Sequence, residues 1–401
     1  MRRVRLRLVA EVNPATREFD RLPDDVVVTF LALESVWPGS SADLSVLRTK
    51  SEVATGYTRF REGDILVPKI TPTFQANRSM IARGLLGGVG AGTTELHVVR
   101  PSGVVDPRYL LYSLSSRPFL KDGEGAMYGV AGQKRVPEEF LRDWPVLLPG
   151  IDQQRAIADY LDAETARIDQ LVEARLRLVE LIEDRRSVQI SNLLEAGQPT
   201  TVRRVIRLCT SGPRGWGDLV TGSGYKFIRS ANLSPSSIAI DEDGMAFVQP
   251  APSPEADRSR VRMGDILVGI TGANTGRVGL VGAATDGAYV SQHVAILRPD
   301  GVIPELLAYA IASDRGQRAL LRSQYGGTKT QLGLDDLREL EIHVPGVAEQ
   351  RRIVVELDRL EAATLQVIDA MARMISMLQE RRQALITAAV TGQLEIPGVA
   401  A

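Results

Sequence analysis

Cysteine and histidine are almost missing from this 401-residue chain, which holds one Cys, at position 209, and three His, at 97, 293 and 343. A single thiol excludes an intramolecular disulfide, and so few soft ligands leave no set for a zinc site. Cys209 therefore reads as a small apolar core residue. Long hydrophobic runs are missing too. No segment approaches the roughly 20 apolar residues of a membrane span. The basic N-terminus, MRRVRLRLVAEVNP, alternates apolar residues with arginines, where a signal peptide has a continuous apolar run. The expectation is a cytoplasmic protein. Charge of one sign is lacking as well: 48 Lys and Arg against 49 Asp and Glu leave a net −1. A protein binding nucleic acid by electrostatics alone carries far more positive charge.

What is present is a statement made twice. Gly63-Asp64-Ile65-Leu66-Val67 returns as Gly264-Asp265-Ile266-Leu267-Val268, an offset of 201. Arg100-Pro101 returns as Arg298-Pro299, and Pro107 to Ser116 (PRYLLYSLSS) as Pro304 to Ser313 (PELLAYAIAS). Pro149-Gly150-Ile151-Asp152-Gln153-Gln154-Arg155 returns as Pro345-Gly346-Val347-Ala348-Glu349-Gln350-Arg351, and Arg185-Arg186 as Arg381-Arg382, both at an offset of 196. A small drift in one direction is what differing loop lengths between duplicated domains produce. The period is far above the 20 to 50 residues or so of solenoid repeats. Two copies of one unit suggest a built-in pseudo-two-fold.

Between the shared motifs the pattern is of short strands divided by turn residues. Val26 to Leu31, Asp64 to Ile70 and Glu95 to Val99 read as strands in the first half. In the second half, Tyr225 to Ile228, Asp265 to Ile270 and Tyr289 to Leu297 do so. Each half is expected to be mainly β with one or two short helices, one starting at Pro107 or Pro304, where a missing N–H costs nothing.

Each copy ends differently. Ile353, Leu357, Leu360, Thr364, Val367, Met371, Met374, Leu378 and Leu385 alternate steps of four and three, a heptad seam. The matching first-arm line is Ile157, Leu161, Glu164, Ile168, Leu171, Arg175, Leu178, Ile182 and Gln189, interrupted by polar residues. A partly apolar helix of some 40 residues needs a partner. The duplicate arm, paired antiparallel, is the nearest candidate, and folding back onto its own domain is the alternative. The expected fold class is α+β: two β-rich globular domains separated by two long helices forming an antiparallel coiled coil. The expected domains are 1–148, 149–200, 201–344 and 345–401. Charge follows this division: the two globular segments carry +3 and +1, the two arms −4 and −1.

These residues carry a resemblance. The order of GDILV, the run Gly272-Ala273-Asn274-Thr275-Gly276-Arg277-Val278-Gly279-Leu280, Tyr325-Gly326-Gly327-Thr328-Lys329-Thr330-Gln331, Leu334-Asp335-Asp336-Leu337, and P-G-x-x-x-Q-R opening a long helix resembles the specificity (S) subunits, HsdS, of type I restriction-modification systems. The likeness spans essentially the whole chain. It implies two target recognition domains, each reading one half of a gapped site on double-stranded DNA. It also implies that helices hold methyltransferase (M) subunits, two of them, and that restriction (R) subunits join that core. S-adenosylmethionine and ATP with Mg are then expected on the partners, with no cofactor bound by this chain and no catalysis by it. An adenine methyltransferase would carry an Asn/Asp-Pro-Pro-Tyr/Phe tetrapeptide, whereas the sole Asn-Pro is Asn13-Pro14-Ala15-Thr16. The glycine run lacks the Gly-Lys-Ser/Thr ending of a nucleotide-binding loop. A coiled-coil adaptor with protein-binding ends is the alternative reading.

Segments that do not repeat are the expected readers: Asn77 to Gly92 and Trp37 to Thr58 in the first half, Gly212 to Arg229 and Asp241 to Arg260 in the second. Arg and Lys suit guanine edges, and Asn and Gln suit adenine. With the resemblance placing DNA-facing loops near the glycine-rich turns, the candidates are Lys69, Gln75, Arg78, Gln133, Lys134 and Arg135, then Arg229, Asn274, Arg277, Lys329 and Gln331. Gly272, Gly276, Gly326 and Gly327 read as turn glycines with positive φ. Candidate partner-binding positions on the helices are Ile157, Leu161, Ile168, Leu171 and Leu178, with Ile353, Leu357, Leu360, Val367, Met371, Met374 and Leu378. The Arg185-Arg186 and Arg381-Arg382 pairs suit either an acidic partner surface or a solvated helix face.

Overall fold

The computed structural model describes residues 2–36, 42–129, 133–235, 237–323 and 331–396. The chain divides into two compact units, one of residues 1–175 with 373–401 and one of residues 176–372. The division cuts both long helices, Ile151–Leu194 and Val347–Val390, each of 44 residues. At 1.5 Å per residue each spans roughly 66 Å. No helix among the described residues is long and apolar enough to cross a membrane.

The first unit holds a four-stranded antiparallel sheet in the order Ala10–Val12, Leu96–Pro101, Ile65–Pro68, Met80–Ile81. In the second unit the same order recurs as Ile206–Ser211, Val294–Pro299, Ile266–Gly269, Val278–Leu280. Each unit also has a two-stranded ribbon closing the head, Arg2–Arg5 with Pro145–Leu148 and Gln198–Thr201 with Glu341–Val344. A further sheet in each contains one parallel pair, Val27–Leu31 beside Val89–Gly92 and Tyr225–Ile228 beside Tyr289–Val290. The copies diverge at its edge. The first head adds the strand Thr58–Arg61, where the second has only an isolated bridge from Arg260 to Tyr289 and extends its opposite edge with Val220–Thr221.

Two expectations about the heads need correction. Tyr289 to Leu297 is not one strand. It is split into Tyr289–Val290 and Val294–Pro299, in different sheets, because Val294 N turns back onto Ser291 O at 3.0 Å. The heads are also more helical than expected, with four short α-helices each among the described residues, such as Arg117–Ala126 and Asp314–Ser323. Arg117–Ala126 contains two glycines and Asp314–Ser323 follows Pro304–Ala312 almost directly, so neither offered a clear helical window in the sequence.

The most repeated motifs are frame. Asp64, 1% exposed, accepts from both Arg100 Nε and Nη2 at 2.8 Å, and from the backbone N of Arg61. Asp265 does the same with Arg298 Nε at 2.8 Å and Nη2 at 2.7 Å, and with the N of Arg262. The carboxylates hold both guanidinium groups above their ordinary pKa. Gln154 and Gln350 explain the P-G-x-x-x-Q-R motif. Gln154 Oε1 accepts from Asp106 N at 2.8 Å while its Nε2 donates to Pro149 O and Val104 O. Gln350 Oε1 accepts from Ile303 N at 2.8 Å while its Nε2 donates to Pro345 O. Each glutamine fastens the start of a long helix to its own head.

Both helix arrangements weighed from sequence occur together. In the first unit Ile157, Ala158 and Leu161 share one core with Tyr109 and Leu110 of the head and with Ile386, Ala389 and Val390 from the far end of the second helix. In the second unit Ile353 and Leu357 share a core with Leu306 and Leu307, and with Ile190 and Leu194 from the far end of the first helix. Within each unit the helices therefore run antiparallel. The seam is corrected in its middle. Ile157, Leu161, Ile168, Ile353 and Leu357 are buried and Leu360, Met371 and Leu378 half-buried, but Leu171, Leu178, Val367 and Met374 are exposed at 39–46%. Their neighbours Val172, Val179, Ile368 and Ile375 are half-buried instead. A helix of 3.6 residues per turn drifts about 20° per heptad from a strict 3.5 repeat, so within two heptads the counted line has turned by about 40° and shares its burial with the next residue along.

Candidate nucleic-acid interface

The strand Ile65–Pro68 and its partner Met80–Ile81 are joined by a turn, as are Ile266–Gly269 and Val278–Leu280, and strand register makes those turns equivalent. Ile81 and Leu280 face the first residue of each strand pair, so Gln75-Ala76-Asn77-Arg78 corresponds to Asn274-Thr275-Gly276-Arg277. Both turns pass through the left-handed region one residue before the arginine, at Asn77 (φ 53°) and Gly276 (φ 88°). At Gly276 the positive φ favours glycine, and a Cβ there would also displace the end of the Gln317 side chain, whose Oε1 would stand 2.6 Å away. Gly272, also with positive φ at 80°, opens the second turn. Gln75, Arg78, Asn274 and Arg277 thus fall on matching surfaces of the two heads.

Their engagement differs. Gln75 Nε2 donates to Glu124, and Arg277 Nη1 donates to Leu233 O at 3.3 Å. The Arg78 backbone N reaches Thr73 O at 3.4 Å, and Asn274 is half-buried with its carbonyl accepting from Arg277 N. Beside the turn, Lys69 Nζ donates to Thr94 O at 2.9 Å, and burial lowers its pKa. Arg135 is held by both oxygens of Glu95 at 2.8 Å, and this hydrogen bonding lowers the Glu95 pKa. A bridge between Ile70 and Arg135 brings Lys69 together with Gln133, Lys134 and Arg135, and the side chains of Gln133 and Lys134 are exposed.

The matching bridge in the second head joins Thr271 to Gln331, which is exposed. Lys69 N bonds to Glu95 O, and Ile270 N to His293 O, so Glu95 and His293 occupy one position. At one place on a shared frame the first head presents Lys69, Glu95 and Arg135, and the second presents Ile270, His293 and Gln331. Thr271 Oγ1 and Gln292 Nε2 lie within hydrogen-bond reach of the His293 ring, at 2.5 and 3.1 Å. Sequence reasoning missed Gln292 and His293. Their signal was available as a change of chemistry at an aligned position inside a repeated strand. Arg229 is not part of this group; its Nη2 donates to Gly244 O at 3.2 Å.

Lys329, with Gly326 and Gly327, lies outside the described residues, as do the first residues of the Trp37 to Thr58 segment. Asn77 to Gly92 is largely frame, since Met80–Ile81 and Val89–Gly92 are strands with buried side chains, leaving Arg83, Gly84, Leu86 and Gly87 at the surface. Cys209 is buried, which raises its pKa. No group of three or more His, Cys, Asp or Glu suited to a metal occurs among the described residues.

The helix arginines are divided by role. Arg185 and Arg381 are exposed, whereas Arg186 and Arg382 are half-buried and face carboxylates inside their own units. Above them, Tyr112 donates to Asp162 at 2.7 Å and Tyr309 to Asp358 at 3.2 Å, matching residues of the two copies. Burial raises the pKa of both phenols.

Residues 225–370 match the family described as Type I restriction modification DNA specificity domain. This stretch runs from the strand Tyr225–Ile228 into the second long helix. The chain is 37% identical over 171 residues to the type I restriction enzyme EcoAI specificity subunit of Escherichia coli, and 36% identical over 170 residues to the EcoEI specificity subunit of the same organism. Each match covers 42% of this chain and 28% of the relative, so the chain spans little more than a quarter of the length of these relatives. The E. coli EcoBI specificity subunit is 25% identical over 61% of this chain and 58% of its own. Among solved structures, a chain described under complex assembly and conformational transition of the type I R-M system matches at a TM-score of 0.73 and 18% identity, covering 98% of both chains. The HsdS subunit of Thermoanaerobacter tengcongensis matches at 0.50 and 18%, covering 98% of this chain and 97% of that one. Residues 225–370 thus carry the match to the type I restriction modification DNA specificity domain, and along its whole length the chain shares its fold with solved structures that include the HsdS subunit of Thermoanaerobacter tengcongensis.

Proposed function

We propose that the chain reads a bipartite, gapped sequence on double-stranded DNA, one half-site per head, and that the chemistry is done by other polypeptides. The observation that carries this reading is the change of chemistry on a constant frame: Lys69, Glu95 and Arg135 in the first head against Ile270, His293 and Gln331 in the second. A duplicated scaffold that kept its buried Asp–Arg pair and its glutamine fastener, yet changed the polar groups at one surface, suits two readers of different sequence.

The near-neutral charge supports partners that share the phosphate contacts. Methyltransferase subunits, two by analogy with the duplication, would dock along the helices, where exposed Leu171, Leu178, Val367 and Met374 offer apolar contact. Restriction subunits would join that core. S-adenosylmethionine, ATP and Mg belong on those partners, and the site of action is the cytoplasm. The working division is 1–148 and 201–344 as reading domains, 149–200 and 345–401 as helical segments. Candidate readers are Gln133, Lys134, Asn274, Gln292, His293 and Gln331 first, with Lys69, Gln75, Arg78, Arg135, Arg229 and Arg277 reaching DNA only as they exchange internal partners or contact phosphate.

The test is footprinting of the complex reconstituted with its methyltransferase subunits, against competitor DNA. Two protected blocks separated by an unprotected gap are expected. Absence of any selective protection would favour a coiled-coil adaptor, and methylation by this chain alone with S-adenosylmethionine would overturn the division of labour.

A further inference from the structure

Two cavities occupy the same place in the two units, where the turn of each head meets the helices. One, of about 250 Å³, is lined by Arg186, Arg277, Thr275, Gly276, Tyr309 and Ser187. The other, of about 390 Å³, is lined by Arg382, Asn77, Arg83, Arg108, Tyr112 and Thr165. Gly276 and Asn77 are the equivalent left-handed residues, Tyr309 and Tyr112 the equivalent phenols, and Arg186 and Arg382 the equivalent helix arginines.

Each helix arginine has a buried Nε that makes no hydrogen bond. Arg382 Nε lies 3.1 Å from Asp169 Oδ1 without hydrogen-bond geometry, and Arg186 Nη2 is 3.9 Å from Glu361 Oε2. The acidic neighbours are not equivalent: Leu365 stands where Asp169 stands in the other copy, and Thr165 where Glu361 does. The guanidinium is kept while its companion carboxylate moves. Arginines outnumber carboxylates in both linings, two to Asp314 alone in one and three to Asp162 and Asp169 in the other. A planar guanidinium whose Nε makes no hydrogen bond, a second arginine and nearby hydroxyls suit a tetrahedral oxyanion, for which arginine is better fitted than lysine.

We infer that these cavities are duplicated phosphate sites in which Arg186 and Arg382, carried by the helices, hold the backbone of DNA bound at the adjacent turn. The inference rests on the DNA-reading function proposed above. It makes the helices part of the DNA-binding surface, at phosphates flanking the bases that the turns face.

The experiment measures log K against log salt for the reconstituted complex on its target and on unrelated DNA, with Arg186→Gln, Arg382→Gln and Arg186→Lys. Each Gln variant should lower the slope by roughly 0.9 on both DNAs, the change expected when one phosphate is no longer neutralised. The double variant should lower it by roughly twice that, Lys should restore most of it, and the methylated sequence should stay the same. Ser187→Glu, which leaves Arg186 in place, should weaken binding in the same uniform way and serves if R186Q does not fold. An unmoved slope in folded variants overturns the site. So does loss of methyltransferase-subunit association alone, which would assign the cavity to a protein carboxylate. Inorganic phosphate raising the Tm of the wild-type chain but not of R186Q, with an unmoved DNA slope, would assign it to free phosphate and overturn the DNA role. Absence of any preference for a bipartite site in the wild type sinks the reading function instead, and the slope on unrelated DNA still decides the site.

Discussion

At the scale of residues, what the two copies share is what holds them up. Asp265 is 1% exposed and bound by two guanidinium nitrogens, so Asp265→Ala strands Arg298 in a dry site. Breaking a buried pair from one side costs about 3–5 kcal/mol. Denaturant melts should show that loss, and a loss below about 1 kcal/mol would remove the pair from the frame. Gln350→Leu, which strips Ile303 N of its acceptor and Pro345 O of its donor, should cost about 1–3 kcal/mol by the same measurement. His97 supplies a pH dependence. Burial is the largest cause of its depressed pKa, from 6.5 to about 4, while its ring bonds to Val136 O. A depressed histidine is neutral when folded, so its contribution is whole above about pH 6.5 and is lost as pH falls toward 4. At about 1.4 kcal/mol per pH unit the loss reaches at most about 3 kcal/mol. Melts between pH 7 and 4 should fall more steeply for the wild type than for His97→Gln, and parallel curves would contradict this. These roles were only half legible in the sequence. Repetition marked Asp64, Asp265, Gln154 and Gln350 as important but not as buried. Residue type marked Lys69, Gln75 and Arg135 as readers, although Thr94 O, Glu124 and Glu95 already hold them.

At the scale of elements, periodicity gave the long helices nearly to their ends, and their ends pack as apolar steps of three and four require. The middle was misplaced by one residue. Counting fours and threes fixes a 3.5 repeat, and only packing shows which neighbour is the better buried as a straighter helix drifts, as with Val172 over Leu171. Short strands were legible where β-branched runs stand between turn residues. The break at Ser291-Gln292-His293 was not, because those residues interrupt the run without a Gly or Pro. If the helices set the separation of the readers, inserting four residues within 168–182 and in the matching stretch of the second helix lengthens them by about 6 Å. The unread gap in the methylated sequence should then grow by about two base pairs, given one charge per 1.7 Å of duplex. An unchanged gap would count against a helical ruler.

At the scale of the whole molecule, what distinguishes a chain with one cysteine, three histidines and balanced charge is its duplicated organisation. The strand order recurs in both units, the helix starts are fastened alike, and the polar groups at one surface differ. The account's central claim is that these surfaces are separate readers of one site. Its most direct test is to exchange residues 201–344 for the matching region of a relative of different specificity and to sequence the methylated adenines made by the complex with its methyltransferase subunits. The account predicts that one half-site is replaced while the other half-site and the gap stay as they were. Replacement of both half-sites, or of neither by a folded and active complex, would contradict it.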